Sequence, residues 1–353
     1  MDLTGKFAVK EEVKLATISD VAKLAGTSIA TVSYVLNGSK DRYIREELRE
    51  RVLKAASQLN YVKSGLASSL KGKQTGVVAV LTPQFSNHFF VNVFIAIEKI
   101  ANAQGYVLST CNTFDDPQQE RQVMERLIKL RPDGYLIIPT VEGGQNTRYI
   151  RELGMPFVAI ERPLENVEHP YDFISSDNFQ AGYALAEHMI KMGHQNIAFL
   201  FWDTAVSNLK EREAGYLQAL REHGIPIRPE LILKSNITHE EGARMTRAIL
   251  EQKDVTAIIY GHYLLAEGGI KALRQTRLQI PADISVALIG CPPWINMNEL
   301  KVTCISQPAA QMGEKAAEIL LKRIAEGNVG QREFIQEILP CTLQYGESIR
   351  DLR

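Results

Sequence analysis

The sequence predicts a small all-α head of the helix-turn-helix kind followed by a larger α/β body built as two lobes. Three observations carry that expectation. Two short helical stretches with caps and stops, "TISDVAKLAG" and "TSIATVSYVLNG", follow one another near the N-terminus. A run rich in Ser, Gly and Lys, "KSGLASSLKGKQTG", then reads as a linker. From Gly76 onward, apolar runs of strand length alternate with amphipathic stretches, the signature of parallel sheets covered by helices. A chain of 353 residues has room for two or three such units.

In the head, Thr17 and Asp20 form a capping-box pair at the start of the first helix, and Gly26 closes it. Only Thr27 separates Gly26 from Ser28, the cap of the second helix, which Asn37-Gly38 is expected to end in the left-handed conformation. Val32, Val35 and Leu36 share one side of that helix, leaving Ile29, Ala30, Ser33 and Tyr34 facing away from any core so small a unit could build. A third stretch, "REELRERVLKAASQLNYV", repeats apolar residues at Leu48, Val52, Ala55/Ala56 and Leu59 and can close the core.

The net charge of −1 hides an asymmetry. Ten Lys and Arg against five Asp and Glu put residues 17–75 at +5, residues 1–16 balance, and the remainder carries −6. A basic head on an acidic body points to a polyanion partner for the head alone. Ser28, Thr31 and the free N–H groups of the helix end suit a phosphate, and Ile29, Ala30 and Tyr34 would meet base edges if the helix entered a major groove. A head docked on a partner protein, its charges merely solvated, accounts less well for spacing, charge and linker together.

Other classes are disfavoured. Apolar runs such as "GVVAVLTP" and "GYLIIP" fall short of a membrane span, and the charged N-terminus does not read as a signal peptide. Cys111, Cys291, Cys304 and Cys341 are dispersed without metal spacing and are expected to be reduced thiols in a cytoplasm. No G-x-S-x-G, Walker or dinucleotide motif occurs, so neither enzyme chemistry nor a cofactor is expected, and no metal. His188 and His194 in "HMIKMGH" suit a helix terminus better than a metal, and "AEGGIKAL" reads as helix packing.

Parallel α/β sheets hold ligands at the carboxyl ends of their strands. Those ends read "SNHFF", "ERP", "SSDN", "FWD", "YGHY" and "GCPPW", an aromatic and polar set suited to a sugar-sized molecule.

"TISDVAKLAGTSIATVSYVLNGS" resembles the head of the LacI/GalR family of bacterial transcription regulators, and the similarity runs on through "AASQLNYVKSGLASSLKGKQTGVVAVLTPQFSNHFF" to cover essentially the whole chain after Thr17. The resemblance implies a lambda-repressor-like head over 17–62, a hinge over 63–75, a two-lobed periplasmic-binding-protein-like body over 76–345 and a tail over 346–353, behind an extension, 1–16, without an assigned role. It implies a cytoplasmic, nucleoid-associated repressor. Such a protein works as a homodimer, or a dimer of dimers, on a pseudo-palindromic double-stranded operator, and its affinity responds to a small molecule between the lobes. On the DNA side the implied residues are Thr17, Ser28, Ile29, Ala30, Thr31, Ser33, Tyr34, Asn37 and Tyr61, with Ala67, Leu70 and Lys71 in a hinge helix that Ser64 caps and that folds on the operator, pushing Leu70 into the minor groove. On the ligand side they are Asn87, Phe89, Phe90, Arg162, Asp177, Arg212 and Gln307, to which the strand ends add Glu161, Trp202, His262 and Trp294.

The chain departs from the family pattern in several places. Tyr34 stands where relatives usually carry a base-reading Arg, and the turn after Asn37 is about two residues longer than usual, adding Lys40 and Arg42. Gly261-His262 replaces an Asn-Asp pair, and Cys291-Pro292 an Asp-Asp pair, that normally grip sugar hydroxyls. With Arg162 and Arg212 retained and expected to lack carboxylate partners, the effector is expected to be an anion, a sugar acid or sugar phosphate, with a neutral sugar close behind. The competing class is a solute-binding receptor sharing the two-lobed body, which leaves the basic head unexplained.

Overall fold

The computed structural model describes residues 16–37, 43–61, 74–293, 301–327 and 333–353. The chain divides into two compact units, Met1–Lys73 and Gln74–Arg353. The expectations for residues 1–15, the turn at 38–42, the hinge positions Ala67, Leu70 and Lys71, and Trp294 lie outside the described residues.

The head contains α1 (Ile18–Ala25), α2 (Ile29–Leu36) and α3 (Glu46–Gln58). The capping box forms as read: the Thr17 hydroxyl accepts from Asp20 N, while Thr17 N donates to the Asp20 carboxylate at 2.8 Å. Gly26 ends α1 in the left-handed region at φ 62°. Ser28 caps α2 by accepting from Thr31 N at 3.1 Å. Asn37, the last described residue of this stretch, is right-handed at φ −91° and ψ −2°, while Gly38, the other half of the expected stop, lies outside the described residues. The Asn37 side-chain amide folds back to donate to the Ser33 carbonyl, which also accepts from Asn37 N. Val21, Val32 and Val52, one from each helix, are fully buried, with Leu36, Leu48, Leu59 and Tyr61 packed around them. Arg51 Nη2 donates to the Ala25 carbonyl, fastening α3 to the end of α1.

The body holds two six-stranded sheets. The first lobe is built on β1 (Val77–Thr82), β2 (Val107–Asn112), β3 (Gly134–Ile137), β4 (Phe157–Ile160), β5 (Asp172–Ser176) and β11 (Gln336–Leu339), in the order β11-β5-β4-β3-β1-β2 and parallel throughout. Successive residues of β1 serve opposite faces, as the strand period requires. Val78 and Val80 pack under α4 (His88–Ala103) and α12 (Ala309–Glu326), whereas Ala79 and Leu81 pack under α5 (Pro117–Leu130). Short helices α6 (Gly143–Asn146) and α7 (Arg148–Glu152) lead into β4.

The second lobe uses β6 (Ile197–Trp202), β7 (Ile232–Ser235), β8 (Ala257–Tyr260), β9 (Ser285–Ile289), β10 (Thr303–Ser306) and β12 (Thr342–Gln344), in the order β12-β10-β9-β8-β6-β7, with only the β10–β12 pairing antiparallel. Helices α8 (Asn178–Lys191) and α9 (Ser207–Glu222) cover one face, and α10 (His239–Leu250) and α11 (Tyr263–Arg274) the other. The chain passes between lobes three times, after β5, after β10 and after β11.

The tail over 346–353 is anchored to the second lobe: Ser348 is fully buried, donates to the Val286 carbonyl and accepts from Thr303 N, while Leu352 N donates to the Met192 carbonyl. The expectation of four reduced thiols is corrected. Cys291 and Cys304 form a disulfide, because neighbouring strands β9 and β10 bring residues distant in sequence side by side. Cys111 and Cys341 are free thiols.

Candidate functional site

On the head, the exposed side of α2 is the side the sequence left unburied. Ile29 is half exposed and Ala30 exposed, Ser33, Tyr34 and Thr31 are partly covered, and Val32 and Val35 are buried beneath them. The Ser28 and Thr31 hydroxyls lie 2.9 Å apart at the start of α2. A helix end offering paired hydroxyls and free N–H groups beside an apolar outer face can meet a phosphate with one part and base edges with the other.

In the body, the carboxyl ends of both sheets face a cleft of about 680 Å³. Its walls bring together Asn87, Phe89 and Phe90 after β1, Glu161 and Arg162 after β4, Trp202 at the end of β6, Arg212 on α9, His262 after β8 and Gln307 after β10. All nine were expected here. Asp177 is not among them: it caps α8, accepting from Gln180 N at 2.8 Å, on one of the crossings between lobes. Phe90 divides its ring between cleft and core and is 5% exposed.

The two arginines correct the charge argument. Arg162 holds Asp115 through both carboxylate oxygens, at 2.6 and 3.2 Å, donates to the Pro139 carbonyl and lies over the Trp202 ring. Arg212 donates to Asn178 Oδ1 at 2.7 Å and the Gly261 carbonyl at 2.8 Å, with Glu161 at 3.9 Å. Glu161 in turn accepts from Ser176 N, the Ser176 hydroxyl, Asn178 and Gln307. Both guanidinium groups are thus matched inside the protein, and neither requires a ligand anion. Asp115 stands in "NTFDD" at the carboxyl end of β2 and, by the strand-end rule, reaches the cleft with Asn112 and Phe114.

The site is electrostatically coupled across the lobes. Asn208 on α9 donates to the Glu161 carbonyl, and Ser207 N to the Glu165 carboxylate. At the rim, the Tyr263 hydroxyl reaches the Ser86 carbonyl at 3.4 Å. Burial lowers the His262 pKa to about 3, with help from Arg212 and Arg162, so the ring is neutral near pH 7. Burial also raises the Glu120 pKa, although Asn146 and Thr140 donate to its carboxylate behind the Arg162 wall. Among the described residues, no group of three or more His, Cys, Asp or Glu is placed to hold a metal ion.

A compact three-helix unit with an outward recognition-type helix, joined in one chain to a hinged two-lobed cleft, defines a DNA-binding regulator with an effector-binding body. The comparisons agree. Residues 17–64 match the family described as bacterial regulatory proteins, lacI family, and residues 75–344 match the periplasmic binding proteins and sugar binding domain of LacI family. The chain belongs to the LacI family. Similar relatives include the transcriptional repressor PurR of Actinobacillus pleuropneumoniae serotype 3, 32% identical over 88% of this chain and 91% of its own, and the regulator DegA of Bacillus subtilis, 29% identical over 92% and 94%. Similar solved structures include a LacI-family regulator from Silicibacter pomeroyi, with TM-score 0.79, 26% identity and 95% and 99% coverage. The regulator CelR in complex with cellobiose gives TM-score 0.70, 25% identity and 94% and 99% coverage.

Proposed function

We propose that this DNA-binding repressor acts as a homodimer on a pseudo-palindromic operator in a bacterial cytoplasm, and that a small polar molecule of carbohydrate type between its lobes releases it. The observation that carries the DNA half is α2, whose caps and core face are satisfied while Ile29, Ala30, Ser33 and Tyr34 look outward. Ile29 and Ala30 suit thymine methyls and Tyr34 a base or phosphate oxygen; Ser28, Thr31, Thr17, Asn37 and Tyr61 are placed for the backbone. Thr17 and Asn37 also fix the ends of α1 and α2, so their contact with DNA would come through the backbone geometry they hold. Ala67, Leu70 and Lys71 complete the proposed interface from the hinge.

The cleft supports the effector half. Its volume and its mixture of aromatic and amide side chains suit a single ring or a disaccharide. Phe89 and Trp202 supply stacking surface, and the matched arginines remove the original reason to demand a phosphate or other strong anion. Mobility-shift titration of the chain's own upstream DNA, at two salt concentrations and with a sugar panel, tests the proposal. Specific retention that weakens with salt and is relieved by a panel member supports it, and equal retention of random duplex overturns it.

A further inference from the structure

The hydrogen-bonding sense of three cleft side chains is fixed by the backbone beside them. Asn87 accepts from Phe89 N at 3.0 Å, Asn112 from Phe114 N at 3.0 Å, and His262 from Leu264 N at 3.2 Å. In each case the partner is an N–H, which can only donate. The contacting atom must therefore be the amide oxygen of each asparagine and an unprotonated Nδ1 of the histidine. That places the proton of the neutral imidazole on Nε2 and makes Asn87 Nδ2 and Asn112 Nδ2 the donors of their side chains, with one lone pair of each amide oxygen taken by the backbone. All three residues line the cleft, one on each of three strand-end loops.

We infer that Asn87 Nδ2, Asn112 Nδ2 and His262 Nε2 form an array of donors, and that the effector presents acceptor atoms to it: an oxidised carbohydrate, a lactone, keto sugar or sugar acid, in preference to the matching polyol. This rests on the reading of the cleft as the effector site. A hydroxyl can accept from such a donor, but its own O–H then needs an acceptor of its own beside the array. The carboxylates of Glu161 and Asp115 are already engaged by protein donors. Gln307 runs in the opposite sense, spending its amide nitrogen on Glu161 and the Ser176 hydroxyl and keeping Oε1, so the array admits one ligand donor beside several acceptors. Carbonyl or carboxylate oxygens satisfy the three donors without adding O–H groups. The neutrality of His262 near pH 7, set by burial and the nearby arginines, keeps it a single donor.

Two substitutions isolate the donor. His262→Asn and His262→Asp both place an oxygen where Nδ1 caps α11, so both preserve that cap; only Asn retains an N–H. Purified full-length protein is titrated by thermal shift against a panel of sugars, each supplied as alditol, aldose, aldonolactone and aldonate, and the protonated imidazole nitrogen of His262 is read from 15N NMR. The expected result is an Nε2–H tautomer and about tenfold tighter binding of oxidised members by wild type and H262N, with H262D shifting the preference toward the alditol or aldose. An Nδ1–H tautomer, or alditols binding wild type as tightly as their oxidised partners, overturns the donor array while leaving the cleft as an effector site. Absence of any panel response overturns the carbohydrate reading and this inference together, and the tautomer measurement tells the two failures apart.

Discussion

Glu161 adopts φ 63°, a left-handed backbone that costs a glutamate on the order of 1 kcal/mol or more. It is held there because its carbonyl takes Asn208 and Ser175 as donors while its carboxylate takes donors from both lobes. Arg212 and Glu161 are both buried, so Arg212→Ala is expected to cost about 3 kcal/mol in urea unfolding and to abolish effector response, leaving an uncompensated carboxylate. The histidines set a pH dependence of definite sign. His188, His194 and His262 all have pKa values lowered from 6.5, chiefly by burial, so below that pH the unfolded chain binds more protons than the fold does. Stability is expected to be constant above about pH 7 and to fall as the pH drops through 6.5 toward the lowered values; H262N should flatten the acid limb. Nine of the eleven residues expected on the ligand side line the cleft, while the pairing of Arg162 and Arg212 was misjudged. Residue type and strand position are local properties, whereas Asp115 meets Arg162 across 47 positions of chain.

At the scale of elements, helix crossings position the site as much as side chains do. Between α8 and α9, a Cβ on Gly182 would meet the Arg212 carbonyl and one on Gly215 the Phe179 carbonyl, so the two backbones touch beside the arginine that faces the cleft. The pair α10–α11 repeats the device, with Gly242 against the Leu265 carbonyl and Gly268 against the His239 carbonyl. Gly215→Ala should therefore cost about 3 kcal/mol, and should weaken effector binding more than operator binding in the absence of effector; denaturation and mobility-shift curves on one preparation measure both. In the head, Val32→Ala opens a cavity in a core with few layers and is expected to cost about 2 kcal/mol, enough to reduce operator retention, while Ile29→Ala changes operator preference with little loss of stability. The N-caps of α1 and α2 and the core faces of all three head helices were legible because they depend on neighbours within one turn. Of the glycine crossings only Gly268, in "AEGGIKAL", is legible as a packing position, since which helices meet depends on the sheets beneath them.

For the molecule as a whole, the charge split is the feature a solution experiment reads most directly. The +5 of residues 17–75 predicts that log K for operator falls steeply and linearly with log salt, whereas effector affinity, governed by internally paired charges, should change by less than about twofold over the same range. The head-and-body organisation and the parallel α/β layout were legible from composition and periodicity. The anchoring of Ser348 and the Cys291–Cys304 bond were not, because both depend on β9 and β10 lying side by side, a pairing that no local pattern of residues records.

Three passages between the lobes have a consequence for biosynthesis. The first lobe begins at Val77 yet takes its last strand from Gln336–Leu339, beyond nearly all of the second. A nascent chain emerging from the ribosome must carry that unfinished sheet, one edge uncovered, until residues 336–339 have followed it out. Truncation before Gln336 would then remove a strand from both sheets at once, and a series of deletions that ends the chain short of that strand should yield no soluble single lobe.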